Sequence, residues 1–269
     1  MIGVFDSGHG GLTTLAALQA RLPAQQFVYL GDHANAPYGP RTRGEIVELT
    51  RAALDRLFRR GCTLVVIACN TAAAVALRDL QQGWLAEAWP DRRALGVFVP
   101  VIEALSGRDW ADDSPPDDLT GTRIALFATQ ATVDSGAFAR EMRFRARGME
   151  IVQVACPGLV DLLEAGRMEE ARALAGGFAD TVSEFAPSRA FLGCTHYPLV
   201  ADAFTTSLGP EVEIISQPDC VADSLFDYLG RHPAHRAAGG TEYLTTGDPG
   251  KVRAAAYTLT GRDLAFSKL

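Results

Sequence analysis

Leu64-Val65-Val66-Ile67-Ala68-Cys69-Asn70-Thr71 is the stretch on which the fold turns. It opens with a short apolar run rich in β-branched side chains, which predicts a strand over Leu64–Ala68. The sequence that follows predicts a helix over Thr71–Gln81, so Cys69 falls at the junction, with Asn70 and Thr71 in the first turn. The same order returns at Phe191-Leu192-Gly193-Cys194-Thr195-His196: an apolar strand, a cysteine, a threonine within two positions, then a helix. A fainter echo links Ile2-Gly-Val-Phe-Asp-Ser-Gly8 to Ile124-Ala-Leu-Phe-Ala-Thr-Gln130, each a strand running into a hydroxyl-bearing turn. Two related βα halves facing each other would bring both sets of strand ends to one cleft, since sites form at the carboxyl ends of sheet strands.

Outward from these stretches, strand-like runs alternate with helical patterns almost throughout. Strands are expected at Ile2–Phe5, Phe27–Leu30, Leu64–Ala68, Leu95–Val99, Arg123–Phe127, Ile151–Val154, Ala190–Leu192 and Val212–Ile215. Between them lie helical patterns such as Arg43–Arg60, Thr71–Gln81, Ser135–Arg147, Glu169–Phe185 and Cys220–Leu229. This alternation predicts an α/β fold with mostly parallel sheets. Ser106–Gly121 is the clearest linker, and its prolines and like charges mark a solvated surface insertion.

The 269 residues, 48% of them hydrophobic, suffice for one large domain or two small ones. A net charge of -7 argues against a general nucleic-acid-binding surface, which needs clustered Lys and Arg. No apolar run approaches the ~20 residues that span a bilayer, so no membrane association is expected. Met1-Ile-Gly-Val-Phe-Asp6 lacks the basic leader and cleavage site of a signal peptide. The five cysteines are odd in number and widely spaced, which fits reduced thiols in a cytoplasmic enzyme. No Cys-x-x-Cys or His-x-x-x-His pair suggests zinc, and no metal is expected.

A cysteine between a strand and a helix lies near free backbone N–H groups and a positive dipole end, both of which lower a thiol's pKa. One such cysteine is usually a small buried residue. Two in matching settings, Cys69 and Cys194, point to paired chemistry, while Cys62, Cys156 and Cys220 read as packing residues. Asp6-Ser7-Gly8-His9-Gly10-Gly11 follows the first strand, and its glycines let the backbone turn sharply and approach a ligand. The spacing is not that of a dinucleotide fingerprint, which needs Gly-x-Gly-x-x-Gly. Gly31–Gly39, with Pro37-Tyr38-Gly39, also follows a strand, though by itself it is an ordinary turn.

Taken together and in order, Asp6–Leu12, Gly31–Gly39, Ala68–Ala72 and Gly193–Leu199 resemble the glutamate racemase family over nearly the whole chain. Ala128–Thr132, Cys156-Pro157 and Glu164-Ala165-Gly166 add to the likeness. The resemblance implies two Rossmann-like domains related by a pseudo-two-fold, with the substrate enclosed in the interdomain cleft. The expected division is 1–98 with 208–269, and 99–207. It further implies that Cys69 and Cys194 are the acid and base on opposite faces of Cα. Asp6, Ser7, Pro37, Tyr38, Gly39, Asn70, Thr71, Thr195 and His196 would hold the substrate or assist the thiols, with Thr129 and Thr132 as further contacts. Glu164 would support His196. No cofactor is implied; the partner is glutamate, the product feeds cytoplasmic peptidoglycan synthesis, and members often form homodimers.

The chemistry suits those roles. A thiol and a thiolate are one chemical group in two states, so the pair can run the reaction both ways. Hydrogen-bond donors such as Asn70, Thr71 and Thr195 can stabilise the charge that grows on the substrate carboxylate. The rival readings are a racemase for aspartate or another amino acid, a related lyase or decarboxylase using one cysteine, and a protein acting through a partner. The chain departs from the usual family pattern at His9, Ala73 and Phe138, and in the length of the acidic loop. Those departures bear on side-chain recognition and regulation, and leave both cysteines in place.

Overall fold

The computed structural model describes residues 1–108 and 114–269. Residues 109–113, the middle of the expected linker, lie outside the described residues. The strands are β1 (Ile2–Asp6), β2 (Phe27–Gly31), β3 (Leu64–Ile67), β4 (Arg93–Gly96), β5 (Asp117–Asp118), β6 (Arg123–Ala128), β7 (Ala146–Arg147), β8 (Glu150–Ala155), β9 (Arg189–Gly193), β10 (Glu213–Ile215), β11 (Thr241–Thr245) and β12 (Phe266–Lys268). They form a six-stranded sheet ordered β12-β11-β2-β1-β3-β4, a four-stranded sheet ordered β10-β9-β6-β8, and the short pair β5-β7. Every pairing between these strands is parallel. Parallel strands need covered faces, and helices supply the cover.

The two large sheets share one plan. Taken in chain order, β1 to β4 lie side by side as second, first, third, fourth, and β6, β8, β9 and β10 repeat that arrangement. The strand echo in the sequence is therefore a repeat of position: β1 corresponds to β6, and β3 to β9. In each sheet the order reverses between the first and third strands, the switch point where α/β sheets open a crevice. Cys69 follows β3 and Cys194 follows β9, so each cysteine stands beside the switch point of its own sheet.

Burial explains the layers. All of β1, β2 and β3 is buried. Alternate residues of β6 face different cores: Ile124, Leu126 and Ala128 join the core of the first sheet, whereas Ala125 and Phe127 join that of the second. The helix Arg43–Arg59, which covers the first sheet, starts with a capping box between Thr42 and Glu45 that satisfies two otherwise orphaned donors. The chain leaves the first sheet through the helix Phe98–Ser106 and returns through Gln217–Arg231. The second sheet extends to Ile215, past position 208.

Some elements differ from the sequence reading. The strand expected at Leu95–Val99 runs from Arg93 to Gly96, and a helix starts at Phe98. There Phe98, Val101, Ile102 and Leu105 are buried at helical spacing, which overrides the β-branched composition. The helix expected over Thr71–Gln81 is split at Ala76 into Asn70–Val75 and Leu77–Gln82. The strands β11 and β12, of which β12 forms the edge, lie outside the sequence expectation because neither presents a continuous apolar run.

Candidate active site

The carboxyl ends of β1, β3, β6 and β9 surround a cavity of about 140 Å³. That is well below the ~300–1,000 Å³ typical of ligand pockets and suits a small metabolite. Ser7, Pro37, Tyr38, Gly39, Cys69, Asn70 and Thr71 contribute from the first lobe. Thr129, Cys194, Thr195 and His196 contribute from the second. Eleven of the expected site residues thus share one cavity. Asp6, Thr132 and Glu164 stand behind its wall, each bonded to a residue that lines it. A larger cavity of about 920 Å³ lies elsewhere between the lobes and contains none of the cysteines.

On the first-lobe side, the Cys69 Sγ lies 3.3 Å from the Ser7 hydroxyl. Asp6 is fully buried; Gly8 N–H donates to its Oδ1 at 2.8 Å and the Thr195 hydroxyl to its Oδ2 at 3.2 Å. Burial raises the Asp6 pKa, opposed by the charge of His196 and by N–H donors from Gly8 and Gly11. Cys69 is pushed up to about 12, by burial first and by the nearby Asp6 charge second. The Ser7 hydroxyl and the Ala72 N–H pull in the other direction. The expected lowering by a helix N-terminus is therefore present and outweighed: for a thiol this buried, desolvation of the thiolate costs more than one turn of helix returns.

On the second-lobe side, Cys194 Sγ lies 3.9 Å from Nδ1 of His196, whose Nε2 donates to Glu164 Oε1 at 2.6 Å. Burial alone would lower the His196 pKa, but the contacts with Cys194 and Glu164 hold it well above the ordinary imidazole value. Burial would raise the Glu164 carboxyl, yet hydrogen bonds from His196 and His9 hold it well below the usual range. Cys194 is followed by a 3₁₀ turn, Tyr197–Val200, before the helix Ala201–Leu208. Its expected strand–Cys–helix setting is thus only approximate, and a histidine stands where Cys69 has a helical turn.

The hydroxyl and amide groups are held in place. Thr71 Oγ1 lies 2.9 Å from Thr129 Oγ1, joining the two lobes, and Thr129 lies 3.0 Å from Thr132. Thr129 also caps the helix Gln130–Ser135 by accepting from Thr132 N–H. Tyr38 donates to Asp32 at 2.7 Å, which anchors the Pro37-Tyr38-Gly39 turn against the cavity. Asn70 and Gln217 exchange two amide hydrogen bonds of 2.8 Å, leaving one Asn70 N–H free to point elsewhere. The cavity tolerates no extra bulk at Gly10, where an added Cβ would stand 2.3 Å from Thr195 Oγ1 and 2.6 Å from His196 Nδ1.

Sequence reasoning missed part of the wall. Cys156, read as a packing residue, is buried but lines the cavity with Pro157, Gly158, Val160 and Asp161. The Cys156-Pro157 resemblance was the available signal, since the turn carries no chemistry of its own. Of the three departures from the family pattern, none lines this cavity. Phe138 packs against Phe98 and Phe191, Ala73 is buried, and His9 turns toward Glu164. Among the described residues no group of three or more His, Cys, Asp or Glu side chains is placed to hold a metal ion, and no helix is long and apolar enough to cross a membrane.

Residues 12–225 match the family model described as Asp/Glu/hydantoin racemase. The chain belongs to that family. It is an α/β enzyme of the isomerase class, and its relatives match from end to end. A glutamate racemase of Roseobacter denitrificans is 50% identical over 99% of this chain and 98% of its own length. Among solved structures, a glutamate racemase isoform from Bacillus anthracis superposes with a TM-score of 0.87 at 25% identity, covering 100% of this chain and 97% of that one. The glutamate racemase of Thermus thermophilus, solved in complex with β-chloro-D-alanine, gives 0.81 at 33% identity, covering 100% and 96%. The two-lobed α/β architecture is that of these racemases.

Proposed function

We propose that this protein interconverts L- and D-glutamate by a two-thiol proton transfer that uses no cofactor. The observation that carries the reading is the placement of Cys69 and Cys194 at equivalent strand ends of two repeated sheets, both lining one small cavity. A thiolate on one side takes the Cα proton, and the electron pair of the broken C–H bond moves into the α-carboxylate. The thiol on the other side gives its own proton to the opposite face, inverting the centre. The two sulfurs end with their protonation states exchanged, ready for the reverse reaction.

The carboxylate needs donors as its charge grows. The second Asn70 N–H and the hydroxyls of Ser7, Thr71, Thr129 and Thr195 are the candidates, with Pro37, Tyr38 and Gly39 shaping the wall beside Thr129. Asp6 supports the Cys69 side, and His196 with Glu164 supports the Cys194 side. The same reading places the product in cytoplasmic peptidoglycan synthesis and the enzyme in a homodimer. The relatives' names favour glutamate, and the small cavity fits a substrate of that size.

The test is circular dichroism of the reduced protein with L-glutamate and then with D-glutamate, no cofactor added. Decay of the signal to zero from both sides is the expected result. A flat trace on glutamate with decay on aspartate would overturn the substrate, and flat traces on both would overturn the reaction.

A further inference from the structure

We propose that His9 is a positioning residue for Cys194, acting through Glu164 and His196; the proposal rests on the racemase reading above. Glu164 is the point where the two histidines meet. His9 Nδ1 donates to its Oε2 at 2.8 Å, and His196 Nε2 donates to its Oε1 at 2.6 Å. The backbone N–H of His9 adds a longer contact to Oε1 at 3.4 Å. The chain of contacts therefore runs His9, Glu164, His196, Cys194, entirely from side chains of two lobes.

The geometry fixes the ring. Nε2 of His9 lies 3.2 Å from the carbonyl oxygen of Val252, so the ring is held at both nitrogens, between that carbonyl and Glu164. The ring also packs on His33 with centroids 4.3 Å apart. His33 is pushed down to about 3, by burial first and by the neighbouring His9 second, so it stays neutral beside that ring. Gly8 closes the turn against the same carboxylate: a Cβ there would stand 3.0 Å from Glu164 Oε1.

What His9 supplies is a fixed carboxylate. The Glu164 side chain is 29% exposed, whereas those of His9 and His196 are 7% and 5% exposed. Glu164 also ends its helix, Leu159–Glu164, so little else in its own element restrains it. Without the His9 donor the carboxylate can turn to water and leave His196 without its anion. A buried imidazolium without an anion gives up its proton more readily, and the Cys194 sulfur loses the cation beside it. The other ionisable groups in this electrostatic neighbourhood are Asp6, Tyr29, Asp32, Cys69, Cys156 and Tyr197. None of them contacts His9 directly, which leaves Glu164 as its route to the thiol.

The experiment compares the full-length protein with His9→Leu and His9→Asn. The Asn amide nitrogen replaces Nδ1 and keeps the donor to Glu164, whereas Leu keeps only bulk. The alkylation rate of Cys194 and of Cys69 by iodoacetamide is followed against pH by peptide mass spectrometry, beside the pH profile of kcat/KM on glutamate. In His9→Leu the Cys194 alkylation profile moves about one pH unit upward, the Cys69 profile stays in place, and kcat/KM near neutrality falls about tenfold, the equivalent of one unit. His9→Asn recovers most of both changes. An unmoved Cys194 profile in His9→Leu overturns the proposal, as does a His9→Asn protein as impaired as His9→Leu. The alkylation result stands whether or not glutamate turns over: a shifted Cys194 profile in a protein whose wild type is inert on both glutamate and aspartate keeps the His9 coupling and overturns the racemase reading.

Discussion

Cys69 and Cys194 occupy the same point of two sheets with the same strand order, yet their surroundings are opposites. Cys69 sits in the first lobe beside a serine hydroxyl and a buried aspartate, and burial with that anion keeps its proton on. Cys194 faces an imidazole whose own pKa is held up by that sulfur and by the Glu164 carboxylate behind it. A two-base racemase needs its sulfurs in different protonation states before substrate arrives. The repeated fold supplies two equivalent positions, and their neighbours differ in charge: an anion beside Cys69 and an imidazole beside Cys194. Symmetry of backbone with asymmetry of charge is what the comparison teaches.

The comparison can be broken most sharply by removing either sulfur. Cys69→Ala and Cys194→Ala each lose about 10²–10⁴-fold or more in racemisation, the range of a lost general acid or base. Each retains Cα proton exchange with only one enantiomer, and opposite ones, because a single base remains on one face. Exchange of both enantiomers by either variant would show that the two sides are not dedicated.

A smaller effect is expected where the lobes touch. Gly10→Ala drives a methyl into Thr195 and His196 and pushes the Cys194 side away from the first lobe. Displacements of this kind cost about 10²-fold, and kcat/KM measured beside the unfolding midpoint separates misplacement from misfolding. Wild-type activity in Gly10→Ala would mean that the lobes close less tightly than the structure shows.

The smallest effect concerns the Cys194 side alone. Glu164 has a lowered pKa in the fold, so its contribution to stability is present above the ordinary carboxylate value and lost as pH falls through the folded one. His196 has a raised pKa, so its contribution is complete below the ordinary imidazole value and lost as pH rises through the folded one. Both are in force between about pH 4.3 and 6.5. Glu164→Gln should therefore cost about 2 kcal/mol in urea unfolding in that window, and less at pH 3 or pH 9. A cost independent of pH would contradict the charged pairing.

The paired strand–Cys stretches made the repeat and both sulfurs legible, because short buried β-branched runs leave a local signal. The family likeness named the hydroxyl and amide neighbours, and all but Asp6, Thr132 and Glu164 reach the cavity wall. What stayed hidden depends on tertiary contact. Gln217 locks Asn70 from 147 residues away, and the three-residue strand β12 carries no apolar run. The raised pKa of Cys69 is hidden for a related reason: its neighbours in sequence show only the helix N-terminus, whereas its burial depends on the whole cavity. His9 looked like a change in recognition, yet its ring faces Glu164, 155 residues along the chain.

The most direct test of the two-sided cavity is racemisation of L-glutamate in D₂O, stopped at low conversion and read by mass spectrometry of each enantiomer. The account predicts that the first D-glutamate formed carries one solvent deuterium at Cα while the remaining L-glutamate keeps its proton. D-glutamate that retains the substrate's own proton would mean that one base serves both faces, and would contradict the account.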